Sequence, residues 1–186
     1  WSSMKERFLT MFPKAGWVEY ESLSRDNERE GARMAFGTPV RSMYHFDKSK
    51  VILALDTDLF GSHPAKIELQ KGWSKARNPE EGRMNRMYAV ESRYANTGSS
   101  ADNRLALRSE QIGPVLEALE VLVASKMNKR NQVEMRGFLN EPKTQKWLNA
   151  LAEDLVKYKG EGAVVVGYTQ PPAVHALGHR LNVMLG

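Results

Sequence analysis

Three short stretches composed only of apolar residues constrain the fold more strongly than any other feature of this sequence. They lie at residues 51–55, 88–90 and 163–166. A strand with one face in solvent alternates apolar and polar residues, whereas a strand buried on both faces is a continuous apolar run. The sequence therefore predicts neighbouring or near-neighbouring parallel strands in one sheet, and residues 105–107 predict a further strand.

Segments in which apolar residues recur at helical spacing separate these strands. The predicted helices cover residues 1–11, 22–36, 65–76, 109–123, 143–158 and 171–185. Residues 127–142 are predicted to form a polar insertion. The alternation predicts an α/β fold with a doubly wound, mainly parallel sheet and helices on both faces, a Rossmann-like three-layer arrangement. We expect residues 1–186 to form a single domain, and the start at Trp1 suggests that it is part of a longer chain.

The composition excludes several classes of function. The chain contains no Cys, which removes disulfides, thiolate metal sites and iron–sulfur ligation. Its net charge of +5 comes from basic residues that are scattered among acids, except at residues 126–130. No aromatic residues interleave with that basic cluster, so we expect no nucleic-acid partner. Since no apolar run approaches the roughly 20 residues of a membrane-spanning helix, we expect no direct membrane insertion.

Polar residues directly after the first predicted strand are candidates for a ligand site. Asp56, Thr57 and Asp58 lie there, and open α/β sheets bind ligands at the carboxyl ends of their strands. These residues fit metal ligation, a ribose contact, or the ordinary alternative of a helix cap or turn. Paired Asp residues also suggest a magnesium-dependent phosphotransferase. The sequence offers neither a nucleophile nor a phosphate-binding glycine loop at matching spacing for that reaction.

Other signals of catalysis are weak. His175 and His179 are four residues apart, but no Glu follows His175 to act as a general base, as a zinc protease would require. We therefore expect these two residues and His63 to serve in packing or capping. No G-x-S-x-G elbow is present, which argues against a serine hydrolase.

Residues 91–108 carry the most specific pattern, E-S-R-x-x-x-T-x-x-x-A-D-x-x-L-x-x-R. It resembles, without a gap, the D-P-R-x-x-x-T-x-x-x-A-D-x-x-L-x-x-R pattern of the molybdopterin oxidoreductase family. His63 and Pro64 match a further H-P pair of that family. The resemblance implies a pterin dinucleotide site at the carboxyl edge of the sheet, with an Arg paired to a carboxylate. The implied site residues are Asp58, Glu91, Arg93, Thr97, Asp102 and Arg108.

The match fails where the family contacts its cofactor. Asp56 and Asp58 replace the Gly and Asn of the family's G-x-N-P, and residues 109–112 replace its P-G-T-D. Glycine permits close approach of a phosphate, whereas a carboxylate repels it, by about 4 kcal/mol at 4 Å and an effective dielectric of 20. The resemblance therefore implies a disabled site, and we expect no bound cofactor in this chain.

Residues 162–186, 55–61 and 84–92 resemble one group in that family, the large iron–sulfur subunits of bacterial alternative complex III. This resemblance implies a non-catalytic scaffold domain on the periplasmic side of the inner membrane, within a quinol-oxidising complex. Its partners would be the iron–sulfur cluster domain of the same parent chain and other subunits of the complex. The alternatives are an active molybdopterin oxidoreductase domain that binds molybdopterin guanine dinucleotide, and the magnesium-dependent phosphotransferase.

Overall fold

The computed structural model describes residues 2–128 and 135–186 and contains two sheets. The strands are β1 (Val51–Leu55), β2 (Arg77–Asn78), β3 (Arg83–Met84), β4 (Arg86–Glu91), β5 (Asn103–Ala106) and β6 (Gly162–Val166). The main sheet has the order β5, β4, β1, β6, and each neighbouring pair is parallel. The β2 and β3 strands form a small antiparallel ribbon. The prediction of neighbouring parallel strands from the three apolar runs is confirmed.

Helices precede and connect the strands. They are α1 (Ser2–Met11), α2 (Asp26–Phe36), α3 (Lys66–Lys75), α4 (Asn96–Ser100), α5 (Ile112–Met127), α6 (Pro142–Lys157) and α7 (Pro172–Leu185). Short 3-10 turns occur at Pro79–Glu81, Ser109–Gln111 and Gly137–Asn140. No helix of the described residues is long and apolar enough to cross a membrane.

Side chains from β1 enter two different cores, which explains why this strand is apolar throughout. Val51, Leu53 and Leu55 pack on one face of the sheet, with α5, α6 and α7. Ile52 and Ala54 pack on the other, with α3 and the loops on either side of β1. All five residues are at most 1% exposed. Burial of each side chain larger than alanine stabilises the folded state by roughly 1.5–3 kcal/mol. The three-layer α/β fold expected from the sequence is confirmed.

Two segments differ from the simple alternation expected of them. Residues 77–84, directly after the helix predicted at 65–76, contain the β2–β3 ribbon, and β5 begins at Asn103, before the predicted strand. Within residues 127–142, expected as a polar insertion, Met135 is buried, and Phe138 and Leu139 pack against the same core. Residues 129–134 of that segment lie outside the described residues.

The order of the strands fixes where a ligand crevice would open. From β1 the chain proceeds to β4 and β5 on one side, and then returns through α5 and α6 to place β6 on the other side of β1. The connections therefore diverge between β1 and β6, which is the topological switch point of the sheet. In open α/β folds the ligand site lies at this point, outside the carboxyl ends of the strands.

Candidate functional site at the carboxyl edge of the sheet

A single carboxylate connects the ends of all four parallel strands. Asp56, directly after β1, accepts hydrogen bonds from the backbone N of Ser92 (3.1 Å) and from its Oγ (2.8 Å). It also accepts from Ser109 Oγ at 2.5 Å and from Gln170 Nε2 at 3.0 Å. Ser92 follows β4, Ser109 follows β5 and Gln170 follows β6. The three loops are thus held together by one side chain of the fourth.

The surroundings of Asp56 favour its ionised form. Partial burial raises the pKa of this carboxyl, but the hydrogen bonds from Ser109, Ser92 and Gln170 outweigh burial and lower the pKa below its ordinary value of 3.8. Gln170 is only 3% exposed and also donates to Ser109 Oγ at 2.8 Å. At neutral pH the centre of this edge is therefore a charged, fully hydrogen-bonded carboxylate.

The backbone leaves little room at the switch point. Gly167, directly after β6, donates its N–H to Leu55 O at 2.8 Å. A Cβ added at Gly167 would lie 2.0 Å from the backbone O of Asp56, which no neighbouring backbone tolerates. Asp56 itself has a φ of +49°, a left-handed conformation that Asp adopts more readily than most residues. The backbone segments that follow β1 and β6 therefore pack directly against each other.

Asp58 and Thr97 meet at the same edge, as the sequence predicted. Asp58 Oδ1 accepts hydrogen bonds from the N of Gly61 (3.1 Å), the N of Thr97 (3.3 Å) and Thr97 Oγ1 (3.2 Å). Thr97 is fully buried and its Oγ1 accepts from the N of Phe60. These contacts fix the loop after β1 against α4. They correspond to the cap or turn interpretation that the sequence left open for Asp58.

Glu91 closes β4 as half of a buried ion pair. Its side chain is 4% exposed, and Oε1 lies 2.6 Å from Nε of Arg104, a residue that the pattern analysis passed over. Oε2 has no hydrogen-bond partner among the described residues. A Cβ at Gly98 would lie 1.8 Å from this carboxylate, so a glycine in α4 is required for the pair to fit. The Arg104 guanidinium also lies over the Tyr94 ring, at 4.7 Å from its centroid.

The two arginines expected to pair with a carboxylate behave differently. Arg108 lies 3.7 Å from Glu110 in an exposed pair, whereas the expectation was that Arg93 or Arg108 would pair with a carboxylate at a buried edge. Arg93 is exposed and forms no ion pair with the described residues. It borders a shallow pocket of about 290 Å³. The other residues that line this pocket are Asp58, Tyr94, Ala95, Asn96 and Ser99.

The prediction that Asp102 shares this edge is wrong. Asp102 precedes β5, and because β5 runs parallel to β4 it lies at the amino edge of the sheet. There it accepts a hydrogen bond from Met87 N at 2.8 Å and forms a two-point ion pair with Arg77, with both N–O distances 2.8 Å. Burial raises the pKa of Asp102, but Arg77 and Met87 outweigh burial and lower it. Its role is to anchor the start of β4.

The histidines serve in packing and capping, as expected. His63 Nδ1 accepts from the N of Ala65 at the start of α3, and burial together with the charges of Arg25 and Arg41 lowers its pKa to about 4. His175 is 4% exposed against α2, and the His179 ring lies 5.1 Å from that of Phe36. Residues 2–128 and 135–186 contain no group of three side chains arranged to hold a metal ion.

The chemistry available at this edge is therefore that of fixed hydrogen bonds. Both oxygens of Asp56 and one oxygen of Asp58 already accept protein donors. Gln170 and Arg104 are the residues that sequence reasoning missed here. Neither belongs to the family pattern. The place of Gln170, after a buried strand and directly before Pro171, is the sequence signal that could have identified it. A scan of family models and a search of curated proteins return no match for this chain.

Proposed function

We propose that this chain is a non-catalytic scaffold domain of a molybdopterin-oxidoreductase-like iron–sulfur subunit. The parent belongs to a quinol-oxidising electron-transfer complex on the periplasmic side of the inner membrane. The observation that carries the proposal is the Asp56 carboxylate, which occupies the switch point and ties together the loops after all four strands. In the family that the sequence resembles, the pyrophosphate and guanosine of the cofactor lie at these strand ends.

Charge and space both argue against a dinucleotide at this edge. A pyrophosphate about 4 Å from the Asp56 carboxylate would meet a repulsion of about 4 kcal/mol per charge pair at an effective dielectric of 20. Admitting it would also break the hydrogen bonds to Ser92, Ser109 and Gln170. Each broken bond to a charged acceptor costs about 1.5–3 kcal/mol. The domain consequently carries no cofactor under this proposal.

The exposed surface supports a role in docking. Eleven of the sixteen large apolar side chains that the described residues expose lie between Met4 and Met43. Val18 and Tyr20, each 89% exposed, are the extreme cases. Such a concentration of exposed apolar side chains in one segment favours a site that contacts other protein. We assign this N-terminal segment to contacts with the iron–sulfur cluster domain and the neighbouring subunits of the complex.

An active molybdopterin guanine dinucleotide domain is the second candidate. The pocket beside Asp58 favours it, because the exposed Arg93 guanidinium there forms no ion pair with the described residues. An arginine of this kind is suited to a phosphate. A magnesium-dependent phosphotransferase is less well supported, because the two Asp56 oxygens that would ligate the cation already accept hydrogen bonds.

Calorimetric titration distinguishes these candidates. Guanosine diphosphate, which represents the guanosine and pyrophosphate part of the cofactor, is titrated into the chain and into the triple variant Asp56→Gly, Asp58→Asn, Glu110→Gly. The scaffold proposal predicts no measurable binding by the wild-type chain. Glu110→Gly alone is the matched control, because Glu110 is exposed and its ion pair with Arg108 is exposed as well. Micromolar binding by the wild-type chain would contradict the proposal and favour the second candidate.

Two further measurements complete the test. Turnover of p-nitrophenyl phosphate that depends on magnesium would favour the phosphotransferase. Cross-linking of the native membrane complex, followed by mass spectrometry, should place residues 4–43 in contact with the iron–sulfur domain or another subunit. Cross-links that avoid these residues altogether would remove the docking role.

A further inference from the structure

We infer that Asp56 is an internal anion that fills an oxyanion-binding site built at the switch point of the sheet. This inference deepens the proposed function, on which it rests for its biological meaning. The site consists of the donors that surround the carboxylate, and its ligand class is a small oxyanion such as formate or inorganic phosphate. In the wild-type chain the site is permanently occupied by the chain itself.

The donors converge as they would on a bound anion. A backbone N–H and a hydroxyl come from Ser92, a second hydroxyl from Ser109 and an amide N–H from Gln170. All four contacts lie between 2.5 and 3.1 Å. Backbone N–H groups, hydroxyls and amides are the groups with which proteins bind phosphate oxygens when no positively charged side chain is used. They are supplied by three separate loops, so no local turn explains their convergence.

The donors are fixed by the fold as well as by Asp56. Gln170 is 97% buried, since its exposed fraction is 3%, and its Nε2 also donates to Ser109 Oγ. Its backbone N donates to Gly167 O at 3.0 Å, which fixes the loop after β6. Ser109 begins a 3-10 turn whose start is capped by Gln111 on Arg108. Removal of the carboxylate should therefore leave a vacated position with its donors still in place.

The backbone at Asp56 makes this removal clean. Its φ of +49° is a conformation that glycine adopts without strain and that Asn tolerates well. Asp56→Gly therefore removes the carboxylate without straining the folded backbone, and the specific response to added anions reports the vacated site. Asp56→Asn keeps the position filled by a neutral group of the same size. The pair of variants separates an empty site from an uncharged one.

The test is rescue of thermal stability by added anions in the 186-residue chain. Melting temperatures are measured for the wild-type chain, Asp56→Gly and Asp56→Asn in sodium formate, sodium phosphate or sodium chloride at equal ionic strength. At several times the Kd, an anion that binds only the folded state should raise the Tm of Asp56→Gly by about 2–4 °C. Wild type and Asp56→Asn should show no such rise, because their site is filled.

Controls make either outcome informative. Leu151→Ala, a core change with no lost anion, should be destabilised without any specific response to formate or phosphate. Equal behaviour of formate and chloride in Asp56→Gly, or the same rise in Leu151→Ala, would overturn the inference. If Asp56→Gly is unfolded at room temperature, refolding of that variant by formate but not chloride supports the site, and failure of both salts counts against it.

The rescue test and the titration with guanosine diphosphate fail independently. Absence of rescue contradicts the internal anion and leaves the scaffold proposal unchanged, because that proposal rests on the charge and hydrogen bonds of Asp56 and not on anion binding by a variant. Binding of guanosine diphosphate by the wild-type chain contradicts the scaffold proposal, even where formate rescues Asp56→Gly.

Discussion

Replacing Arg104 with Met isolates the buried carboxylate of Glu91. The Arg104 side chain is 28% exposed and the Glu91 side chain 4%, so the carboxylate depends on this one cation for compensation. Met preserves most of the apolar stem, but it donates no hydrogen bond and lacks the guanidinium that lies over the Tyr94 ring. In Arg104→Met we expect Oε1 to keep only the 3.4 Å hydrogen bond from the N of Ala95, and Oε2 has no partner among the described residues.

The expected cost follows from the geometry of the pair. Opposite unit charges about 4 Å apart attract by about 4 kcal/mol at an effective dielectric of 20. Removal of one partner from a buried ion pair costs about 3–5 kcal/mol in measured cases. Because Arg104 is partly exposed, we place the loss near the lower limit, at about 3 kcal/mol of unfolding free energy.

A double-mutant cycle measures this coupling. Urea unfolding is followed by far-UV circular dichroism for the wild-type chain, Arg104→Met, Glu91→Gln and the double variant. Glu91→Gln in the Arg104→Met background should recover about 1.5 kcal/mol or more, since it removes the uncompensated charge. A loss below about 1 kcal/mol in Arg104→Met, or a coupling below about 0.5 kcal/mol, would refute the buried ion pair as a stabilising contact at the end of β4.

Two further predictions concern the packing of α2 on α7. Burial first, and then the charges of His179 and Arg25, lower the pKa of His175 to about 4. As the pH falls below 6.5, the unfolded chain therefore takes up a proton before the folded chain does. Stability should therefore fall as the pH falls from about 6.5 to 4, and His175→Leu should reduce the loss between pH 7 and 4.5 by about 2 kcal/mol in urea unfolding. Equal losses in both proteins would contradict this. A Cβ at Gly31 would lie 2.3 Å from His175 Cβ, so Gly31→Ala should cost about 1–3 kcal/mol by thermal unfolding. Gly16→Ala should leave the stability unchanged, because there is open space around Gly16. An unchanged Tm for Gly31→Ala would contradict the close contact with His175.

The main sheet was predictable because β1 and β6 are covered on both faces. Residues 51–55 and 163–166 are apolar at every position, and no amphipathic alternative competes for them. The α4 helix was not predictable, because its N-T-G-S-S sequence has no apolar periodicity and low helix propensity. It forms because Thr97 packs under Asp58 and Gly98 accommodates Glu91, which are tertiary contacts.

At the site, spacing in the sequence identified which loops meet but not which side chains hold them. Asp58 and Thr97 were expected together and are hydrogen-bonded. Asp102 was expected with them, but it precedes its strand, and a residue before a parallel strand lies at the opposite edge. Gln170 was missed because it lies outside the family pattern and its partners, Asp56 and Ser109, are distant from it in sequence.

The distribution of polar and apolar groups separates a docking domain from a ligand-binding one. A crevice that receives a ligand keeps donors unsatisfied until the ligand arrives, and its loops must move or remain open. Here the donors around the switch point are satisfied by Asp56, and a shift of any one loop would break hydrogen bonds to the other strands. Large apolar side chains are exposed instead in the N-terminal segment, where Val18, Tyr20 and Leu23 are at least 73% exposed. Under the proposed scaffold function, these apolar side chains are the surface offered to a protein partner, and the hydrogen bonds of Asp56 link the loops at the sheet edge.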